Sequence, residues 1–185
     1  YWGKGVTTCT VCDGAFYKDQ PVVIVGGGDS AMEGASFMTN FTRDITIIQI
    51  HDKLSASVAM QERVLKNPTI KIIYSSSVTE IKGDGQKPTH VVIKNNITGK
   101  AEELRTDAVF VSIGLSPNVA AFKDQIELHK SGHIKLTKHT QTSITGIFAA
   151  GDVADFTYRQ AITSAGDGCM AALDAERYLK SIGID

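Results

Sequence analysis

Hydrophobic residues in the first part of the chain occur in short runs that are separated by mixed segments. The runs Val22–Val25, Ile45–Ile50 and Ile70–Tyr74 are typical of strands buried inside a parallel sheet. The segments between them, Asp29–Asn40 and Ala56–Lys66, are rich in helix-forming residues. This β-α-β-α-β order predicts an α/β fold with a doubly wound parallel sheet.

The pattern then changes to shorter stretches in which apolar and polar residues alternate. These are Val78–Lys82, Val91–Lys94 and Glu102–Arg105, with the turn-forming sequences GDGQ and NNITGK between them. We predict an antiparallel β-meander here. The next segment, Ala108–Ile113, is apolar throughout and is predicted to return to the parallel sheet.

Pro117 interrupts this pattern, and we place a domain boundary beside it, between residues 1–115 and 116–185. The second part is more polar at its start. In it we predict a strand around Ile147–Ala150 and a helix from about Arg159 to Lys180.

The composition is that of an ordinary globular protein, with 42% apolar and 21% charged residues among 185. A net charge of −1 provides no basic surface for nucleic acid, and no apolar run approaches the roughly 20 residues that span a bilayer. We therefore expect neither a nucleic-acid partner nor membrane insertion. Three cysteines are too few for a disulfide-stapled secreted fold, which favours a cytoplasmic location. Because the chain begins with Tyr1 rather than methionine, we expect it to be part of a longer protein.

The sequence GGGDSA follows the first predicted strand and opens the first predicted helix. In a dinucleotide-binding fold, Gly26 would form the tight turn, Gly28 would let the backbone approach a pyrophosphate, and Ala31 would leave room for helix packing. The helix N-terminus would add free N–H groups for the phosphates. A glycine-rich turn without a ligand is the alternative, but the strand before it and the helix after it favour nucleotide binding.

Residues at the end of the second strand discriminate between NADH and NADPH in such folds. The candidates are Gln49, His51 and Asp52, and no arginine occurs between Arg43 and Arg63. Without an arginine fork a 2′-phosphate lacks its usual partner, which favours NADH. Asp52 has a second interpretation, as an acidic residue of an exposed loop.

Cys9 and Cys12 form a C-x-x-C motif, which has three interpretations. A zinc site would need a second such pair, whereas only Cys169 and scattered histidines remain. Two buried, inert thiols are another alternative. We favour a redox pair, because neighbouring thiols exchange rapidly and Asp13 is placed to pass a proton to or from a leaving thiolate.

A redox pair next to a nicotinamide site also predicts a flavin. Nicotinamide delivers two electrons as a hydride, a disulfide accepts them through thiol chemistry, and a flavin is the usual relay. In IFAAGDVADFTYRQAITSAGDGCMAAL, Gly151 and Asp152 end a predicted strand, and Arg159, Gln160 and Ala161 begin a predicted helix. A carboxylate beside a helix N-terminus suits a polyol hydroxyl and an electron-rich ring edge.

The chain resembles the low-molecular-weight thioredoxin reductase family of flavoproteins. The matching stretches are YWGKGVTTCTVCDG, VVIVGGGDSAMEGA, TEIKGDG, FVSIGLSPN and FAAGDVADFTYRQAITSAGDGCMAALDAERYL, and their spacings agree as well. The resemblance implies a Rossmann-like NAD(P)-binding domain that carries the C-x-x-C motif, with a three-layer parallel sheet and a β-meander. It also implies that residues 116–185 are the C-terminal portion of an FAD-binding domain.

The resemblance implies that NAD(P)H reduces FAD, that FAD reduces the cysteine disulfide, and that the dithiol reduces thioredoxin or a thioredoxin-like protein. Cys12 would face the flavin, Cys9 would attack the thioredoxin disulfide, and Asp13 would be the proton donor. The residues implied for nucleotide binding are Gly26, Gly27, Gly28, Asp29, Ser30, Ala31, Glu33, Gln49, His51 and Gly114. Those implied for FAD are Gly151, Asp152, Arg159, Gln160 and Ala161. Family members are commonly homodimers, so we expect a homodimer for the full-length protein.

Two departures from the family pattern leave alternatives open. NADPH-using members carry H-R-R-x-x-x-R after the second strand, where this chain has Gln49, Ile50, His51 and Ser55. An NADH-dependent flavoprotein that serves a peroxiredoxin, of the alkyl hydroperoxide reductase type, also lacks that cluster. Second, the N-terminal FAD-binding half is absent from these 185 residues, which suggests a nucleotide-binding fragment without turnover.

A helix that normally packs on the absent half would expose apolar side chains. We expect Phe148, Ile162, Met170 and Leu173 to form such a surface. Cys169 is interpreted as a small packed residue rather than a third redox thiol.

Overall fold

The structure is a computed structural model that describes residues 1–122 and 124–184. The chain divides into two compact units, Tyr1–Gly114 and a second unit that begins at Leu115. The described strands, all in the first unit, are β1 Val6–Thr7, β2 Val22–Val25, β3 Ile45–Ile48, β4 Ile70–Ile73, β5 Ser76–Gly83, β6 Pro88–Asn95, β7 Ala101–Arg105 and β8 Ala108–Val111. The described α-helices are α1 Thr10–Asp13, α2 Asp29–Met38 and α3 Val58–Leu65 in the first unit, and α4 Ala161–Ser181 in the second.

A parallel sheet forms the centre of the first unit, with the strand order β1-β8-β2-β3-β4. Its central strands consist almost wholly of buried apolar residues, as expected for a sheet covered on both faces. Alternate side chains of β2 point to opposite faces, so that Val22 and Ile24 join one core cluster and Val23 joins the other.

The two faces of this sheet are covered by different layers. On one face, Met32 and Met38 of α2 and Val64 of α3 are buried in a cluster with Phe110 of β8. On the other face, Val91 of the antiparallel sheet β5-β6-β7 packs in the second cluster. The predicted α/β fold, with its parallel sheet and β-meander, is confirmed.

Both predicted helices of the first unit are shorter than the sequence pattern indicates. The first ends at Met38, and the side chain of Asn40 donates a hydrogen bond of 2.9 Å to the Phe37 carbonyl oxygen. The second begins after Ala56, because the Ala56 N–H is bonded to the Gly27 carbonyl oxygen at 3.0 Å. The glycine turn thus fixes where the second helix begins.

The second unit is largely irregular before α4, with short 3₁₀ turns at Ala120–Phe122 and Gly151–Val153. Its small core contains Ile126, Ile134 and Ala149. A core of this size gives this unit little apolar burial of its own.

The strand predicted at Ile147–Ala150 is wrong. Phe148 makes only an isolated bridge with Gln141, and the Ala149 N–H donates to the Thr140 carbonyl oxygen at 2.8 Å. An apolar run resembles a strand in sequence, but a strand needs a ladder of partners, and here the pairing ends after one bridge.

None of the residues of α4 is buried. Ile162, Met170 and Leu173 are exposed as predicted, with Ile162 at 81%. The prediction for Phe148 is wrong, because its ring is half-buried and lies edge-on to Tyr178 with centroids 6.1 Å apart. The prediction that Cys169 is packed is also wrong, because Cys169 is exposed.

Among the described helices, none combines the length and the apolar character that crossing a bilayer requires.

Candidate functional site

The glycine turn connects β2 to α2, and its three glycines have different environments. Gly26 has φ +139°, and a Cβ there would overlap the carbonyl oxygen of Ser112. A Cβ on Gly27 would overlap the side chain of Gln49. Gly28 is the N-cap of α2 and has only ordinary contact space around it. Folding therefore requires glycine at Gly26, a side chain at Gly27 would have to displace the amide end of Gln49, and Gly28 leaves the backbone open to a ligand.

A cavity of about 560 Å³ opens beside this turn, at the carboxyl ends of β2, β3 and β8. Ligands of parallel α/β sheets bind at this edge, and the volume is that of a small-molecule site. The predicted nucleotide residues that line it are Gly26, Gly27, Gly28, Asp29, Ser30, Gln49, His51 and Gly114. The other two do not line it: Ala31 is fully buried behind the turn, and Glu33 is exposed on α2.

Gln49 is a buried polar residue whose amide is already hydrogen-bonded. Its Nε2 donates to the Lys53 carbonyl oxygen at 2.8 Å, and its Oε1 accepts from the Ile50 N–H at 3.0 Å. These bonds shape the loop after β3. Gln49 therefore serves as a wall of the cavity more than as a free hydrogen-bonding group.

Asp29 connects the glycine turn to the following helix. One carboxylate oxygen, Oδ1, accepts from the Ser57 N–H at 2.8 Å and from the Ser57 hydroxyl at 2.9 Å. Ser57 is the N-cap of α3, so the carboxylate of Asp29 caps the start of that helix. The predicted phosphate-binding residue Asp29 thus has a clear structural task at the rim of the cavity.

Ser55 completes this rim and was not among the predicted binding residues. Its N–H donates to the Gly27 carbonyl oxygen at 2.8 Å, and its Oγ lies 3.7 Å from where a Cβ on Gly28 would be. No lysine or arginine occurs among the described residues that line the cavity. The site therefore offers helix N–H groups and hydroxyls, with no fixed cationic side chain.

The two cysteines of the C-x-x-C motif form a disulfide at the start of α1, with Cα atoms 5.3 Å apart. Cys9 is the N-cap of this helix, and its Sγ accepts a hydrogen bond of 3.1 Å from the Cys12 N–H. Cys12 is exposed and Cys9 is half-buried. The disulfide is accessible, and an N–H group already points at the Cys9 sulfur.

Asp13 is held by Thr7, a residue that the sequence analysis missed. The Thr7 hydroxyl donates to Asp13 Oδ2 at 2.6 Å and accepts from the Cys9 N–H at 3.2 Å. The sequence contains a signal only for the bond from the Cys9 N–H, because Ser and Thr hydroxyls commonly bond the backbone N–H two residues later.

Tyr17 is the last residue of the 3₁₀ turn Gly14–Tyr17 that follows α1. Its ring is edge-on to Phe110, with centroids 5.9 Å apart. Burial, and next the charge of Asp13, raise the pKa of Tyr17, whereas Lys87 acts in the opposite direction. The phenol therefore stays protonated beside the dithiol turn at neutral pH.

The predicted flavin residues come together around the first turn of α4. Gly151 has φ +74°, and a Cβ there would be 3.3 Å from the hydroxyl of Ser164. That hydroxyl donates to Asp152 Oδ1 at 3.1 Å. Gln160 is the N-cap of α4 and forms a reciprocal capping box with Thr163, so Ala161 is the first helical residue.

The loop before α4 is arranged around one carboxylate. Asp155 accepts from the N–H groups of Thr157, Tyr158 and Arg159 at 2.8–2.9 Å. Arg159 has φ +50°, which explains why α4 starts two residues later than predicted. Hydrogen bonds from the backbone of Tyr158 and then Arg159 lower the pKa of Asp155.

The described residues contain no cluster of three or more His, Cys, Asp or Glu side chains that could hold a metal ion. The C-x-x-C cysteines are joined to each other instead.

The comparisons with known proteins agree with these motifs. The sequence profile described as "Pyridine nucleotide-disulphide oxidoreductase" matches residues 1–168. The chain is 48% identical over 181 residues to a thioredoxin reductase of Streptomyces clavuligerus, a match that covers 97% of this chain and 56% of the relative. It is 46% identical over 189 residues to the mitochondrial thioredoxin reductase 1 of Arabidopsis thaliana, covering 99% and 50%.

Solved structures give the same result. The thioredoxin reductase from Streptococcus pyogenes has a TM-score of 0.88 and 39% identity, covering 96% of this chain and 58% of that one. The enzyme from Giardia duodenalis has a TM-score of 0.85 and 44% identity, covering 97% and 59%. The chain spans about half the length of the curated relatives it matches. The predicted resemblance to thioredoxin reductases is confirmed, and the chain belongs to the pyridine nucleotide-disulphide oxidoreductase family.

Proposed function

We propose that this chain is the nucleotide- and dithiol-carrying part of a thioredoxin reductase, an FAD-dependent NAD(P)H:disulfide oxidoreductase. The observation that carries the proposal is the accessible Cys9–Cys12 disulfide in the same unit as a glycine turn and nucleotide-sized cavity. A dithiol and a nicotinamide site in one compact unit serve the transfer of two electrons from a nucleotide to a disulfide.

In the dithiol step, the Cys9 thiolate attacks one sulfur of the partner's disulfide. That disulfide breaks, a mixed disulfide to Cys9 forms, and the released partner thiolate takes a proton from Asp13. The Cys12 thiolate then attacks Cys9, the internal disulfide forms again, and the second partner sulfur leaves and is protonated. Two electrons and two protons reach the partner, and the Cys12 N–H stabilises negative charge on the Cys9 sulfur.

The residues of the cavity fit a nicotinamide dinucleotide. A pyrophosphate would lie against Gly28 and the first N–H groups of α2, the place where a side chain is absent and the helix dipole is positive. Asp29 and Ser30 would border the phosphates, and Gln49 and His51 would border the adenosine ribose.

We propose NADH as the preferred nucleotide. A 2′-phosphate needs cationic side chains, and among the described residues that line the cavity none is lysine or arginine. Lys53, the nearest lysine in sequence after β3, does not line the cavity, and its carbonyl oxygen is bonded to Gln49. The free 2′-hydroxyl of NADH can be bound by neutral groups at little cost.

The second unit fits one part of an FAD site. Gly151 has φ +74°, which disfavours any side chain, and its Cβ position is only 3.3 Å from the Ser164 hydroxyl. Asp152 offers a carboxylate, and the N-terminus of α4 follows Arg159, whose φ is +50°. FAD, when bound, accepts two electrons from a nicotinamide and passes them to a disulfide. Asp152 would hold a ribityl or phosphate-side group, and Arg159, Gln160 and Ala161 would border the ring.

The surroundings of the disulfide suit a protein substrate. Val11, inside the C-x-x-C motif, is 62% exposed, and Phe16 in the following turn is 75% exposed. Large apolar side chains next to a reactive disulfide provide a surface for a protein partner. Thioredoxin or a thioredoxin-like protein is the proposed substrate, in the cytoplasm and without a nucleic-acid or membrane partner.

A trapping experiment tests this function directly. The Cys12→Ser chain, also carrying Cys169→Ser because Cys169 is an exposed free thiol, is reduced and mixed with a thioredoxin that keeps only its attacking cysteine, activated as a mixed disulfide with thionitrobenzoate. It should form a stable disulfide through Cys9, visible as a mass increase, because neither partner retains a second thiol that could break it. The matched control is the Cys9→Ser, Cys169→Ser chain, which keeps only Cys12 and should react much more slowly if Cys9 is the attacking thiol. If thioredoxin is not trapped but the disulfide form of a peroxiredoxin-reducing module is, the alkyl hydroperoxide reductase type of function replaces the proposal.

Two further measurements address the cofactor and the assembly. If the purified chain keeps the visible absorbance of oxidised flavin, it binds FAD, and a second copy or another chain completes the site. Calorimetry with NADH gives the third possible result. If the chain binds NADH but keeps no flavin and traps no partner, it is a nucleotide-binding fragment. The homodimer implied for the full-length protein is tested by its sedimentation.

A further inference from the structure

We propose that Thr7 is a positioning residue that decides which oxygen of the Asp13 carboxyl delivers the proton during thiol–disulfide exchange. The inference rests on the proposed function, in which Asp13 protonates the leaving thiolate. It extends that function to a residue outside the C-x-x-C motif, on the edge strand β1.

The geometry that supports this role is a two-bond chain through one hydroxyl. The Cys9 N–H donates to Thr7 Oγ1 at 3.2 Å, and Thr7 Oγ1 donates to Asp13 Oδ2 at 2.6 Å. The hydroxyl thus connects the backbone of the attacking cysteine to the carboxyl group. Thr7 and Asp13 are both half-buried, so these bonds are partly shielded from competing water.

The donors of both bonds are identified in the structure. A backbone N–H can only donate, so the Thr7 oxygen accepts from Cys9, and its own proton points at Asp13 Oδ2. In the proposed role Thr7 keeps donating to Oδ2 when the carboxyl is neutral. The acid proton then lies on Oδ1, for which the described residues provide no hydrogen bond.

The sheet holds Thr7 in this place. Thr7 pairs in parallel with Phe110 of β8, whose side chain is fully buried in the core. The hydroxyl is therefore held by pairing of its strand with a buried strand of the sheet, while Cys9 caps the short helix α1 and Asp13 ends it. Positioning by a rigid element is what a proton donor needs to meet a leaving group in the right orientation.

In the reaction, the S–S bond of the substrate breaks as Cys9 forms its bond to one sulfur. The Oδ1–H bond of Asp13 breaks at the same time, and its proton goes to the departing sulfur, which leaves as a thiol. The carboxylate that remains keeps its bond from Thr7. Without the Thr7 hydroxyl, the carboxyl can rotate, and the proton is no longer presented from one defined oxygen.

The test compares two disulfides that differ in their need for a proton. Bis(2-hydroxyethyl) disulfide releases a basic alkyl thiolate, which leaves slowly unless it is protonated. The aromatic reagent 5,5′-dithiobis(2-nitrobenzoate) releases a stable thiolate that needs no acid. Both are mixed with the pre-reduced 185-residue chain carrying Cys169→Ser, so that the exposed free thiol of Cys169 does not react. The compared variants in this background are Thr7→Val, which keeps the shape and loses the hydroxyl, and Thr7→Ser, which restores the hydroxyl.

We expect Thr7→Val to slow the reaction with the alkyl disulfide by about tenfold or more, within the range of a positioned acid, and to change the aromatic reaction less than about twofold. Thr7→Ser should restore the alkyl rate. Equal slowing of both reactions in Thr7→Val, or no slowing of the alkyl reaction, overturns the proposal. A variant that is slow because it is poorly folded would fail in both reactions and in its circular dichroism spectrum.

Asp13→Asn separates this inference from the function on which it rests. If Asp13→Asn slows the alkyl reaction selectively and Thr7→Val does not, Asp13 is the acid and Thr7 does not position it. If Asp13→Asn has no selective effect, the assigned role of Asp13 itself fails. In the double variant, Thr7→Val should add no further slowing beyond Asp13→Asn, because the two residues act as one unit.

Discussion

If the cavity beside the glycine turn binds NADH as proposed, replacing Ser55 by arginine should allow it to accept NADPH as well. Ser55 borders the glycine turn, since its N–H is bonded to the Gly27 carbonyl oxygen and its Oγ lies 3.7 Å from the Cβ position of Gly28. Its side chain is exposed, so arginine can be accommodated there without disturbing the core. A guanidinium at this rim would supply the cation that the described lining lacks.

The expected gain in NADPH affinity follows from the hydrogen bonds that an arginine at position 55 could donate to the 2′-phosphate. A hydrogen bond between a guanidinium and a phosphate contributes about 1.5–3 kcal/mol, and each 1.4 kcal/mol is about a tenfold change in Kd. After the entropy cost of fixing a long exposed side chain, we expect NADPH to bind about tenfold more tightly to Ser55→Arg. The gain should shrink as salt is added, because the pair is exposed. NADH affinity should change less than about threefold.

Titration calorimetry with NADH and NADPH on the parent chain, Ser55→Arg and the neutral control Ser55→Gln measures these differences. The control has a long polar side chain without the charge and should leave NADPH affinity low. If the parent chain binds NADH and NADPH with equal affinity, the absence of lysine and arginine from the described cavity lining does not decide which nucleotide binds. A gain for Ser55→Gln equal to that for Ser55→Arg would show that length, and not charge, is responsible.

Three further predictions concern stability and order. Phe110→Ala, which removes a fully buried ring, should lower the free energy of unfolding by about 3–5 kcal/mol in urea titrations, and a loss below about 1 kcal/mol would contradict the assigned core. The folded-state pKa of Asp155 lies below its ordinary value of 3.8, so its bonds persist above that value and are lost as pH falls through the lowered pKa. The protection of the Arg159 N–H against hydrogen exchange, relative to the unstructured rate at the same pH, should therefore fall in that acid range, and also at neutral pH in Asp155→Asn. Replacing the exposed Ile162, Met170 and Leu173 by serine should reduce light scattering of concentrated protein while leaving the unfolding midpoint of the first unit nearly unchanged.

The central sheet could be predicted because its strands are uniform. Val22–Val25 and Ile45–Ile48 are apolar at every position apart from Thr46, and glycine or polar residues end them, so local pattern and tertiary burial agree. The glycine turn was predictable for the same reason, because Gly26 and Gly28 occur between a clear strand and a clear helix.

The elements around the dithiol could not be predicted from local pattern. The strand Val6–Thr7 has only two residues and exists because β8, a hundred residues later in the chain, provides its partner. The helix Thr10–Asp13 is a single turn closed by the Cys9 cap. Thr7 was missed because its importance depends on this long-range pairing, which brings its hydroxyl to Asp13.

In the region before α4 the sequence pattern predicts a strand that the structure does not contain. Ile147–Ala150 has the composition of a strand, yet only Phe148 finds a bridge partner. Periodicity reports which side chains are apolar, and it does not report whether a neighbouring strand is present. The exposed apolar residues of α4 were predicted from the family resemblance rather than from periodicity, because an amphipathic helix looks the same whether or not its partner lies in the same chain.

The unequal crowding of the three glycines has a consequence for how sequence variation at this turn should be interpreted. A side chain at Gly26 would collide with the backbone of Ser112, so a saturation library selected only for folded protein would already exclude substitutions there. At Gly27 a side chain would have to displace the amide end of Gln49, so the same selection would deplete substitutions there less strongly. Alanine at Gly28 meets nothing closer than 3.7 Å, so the same library would retain it. Depletion of Gly28 variants would appear only when the library is selected for nucleotide-dependent activity. The difference between the two selections at this one position would therefore measure the demand that the nucleotide places on the chain, separately from the demand of folding.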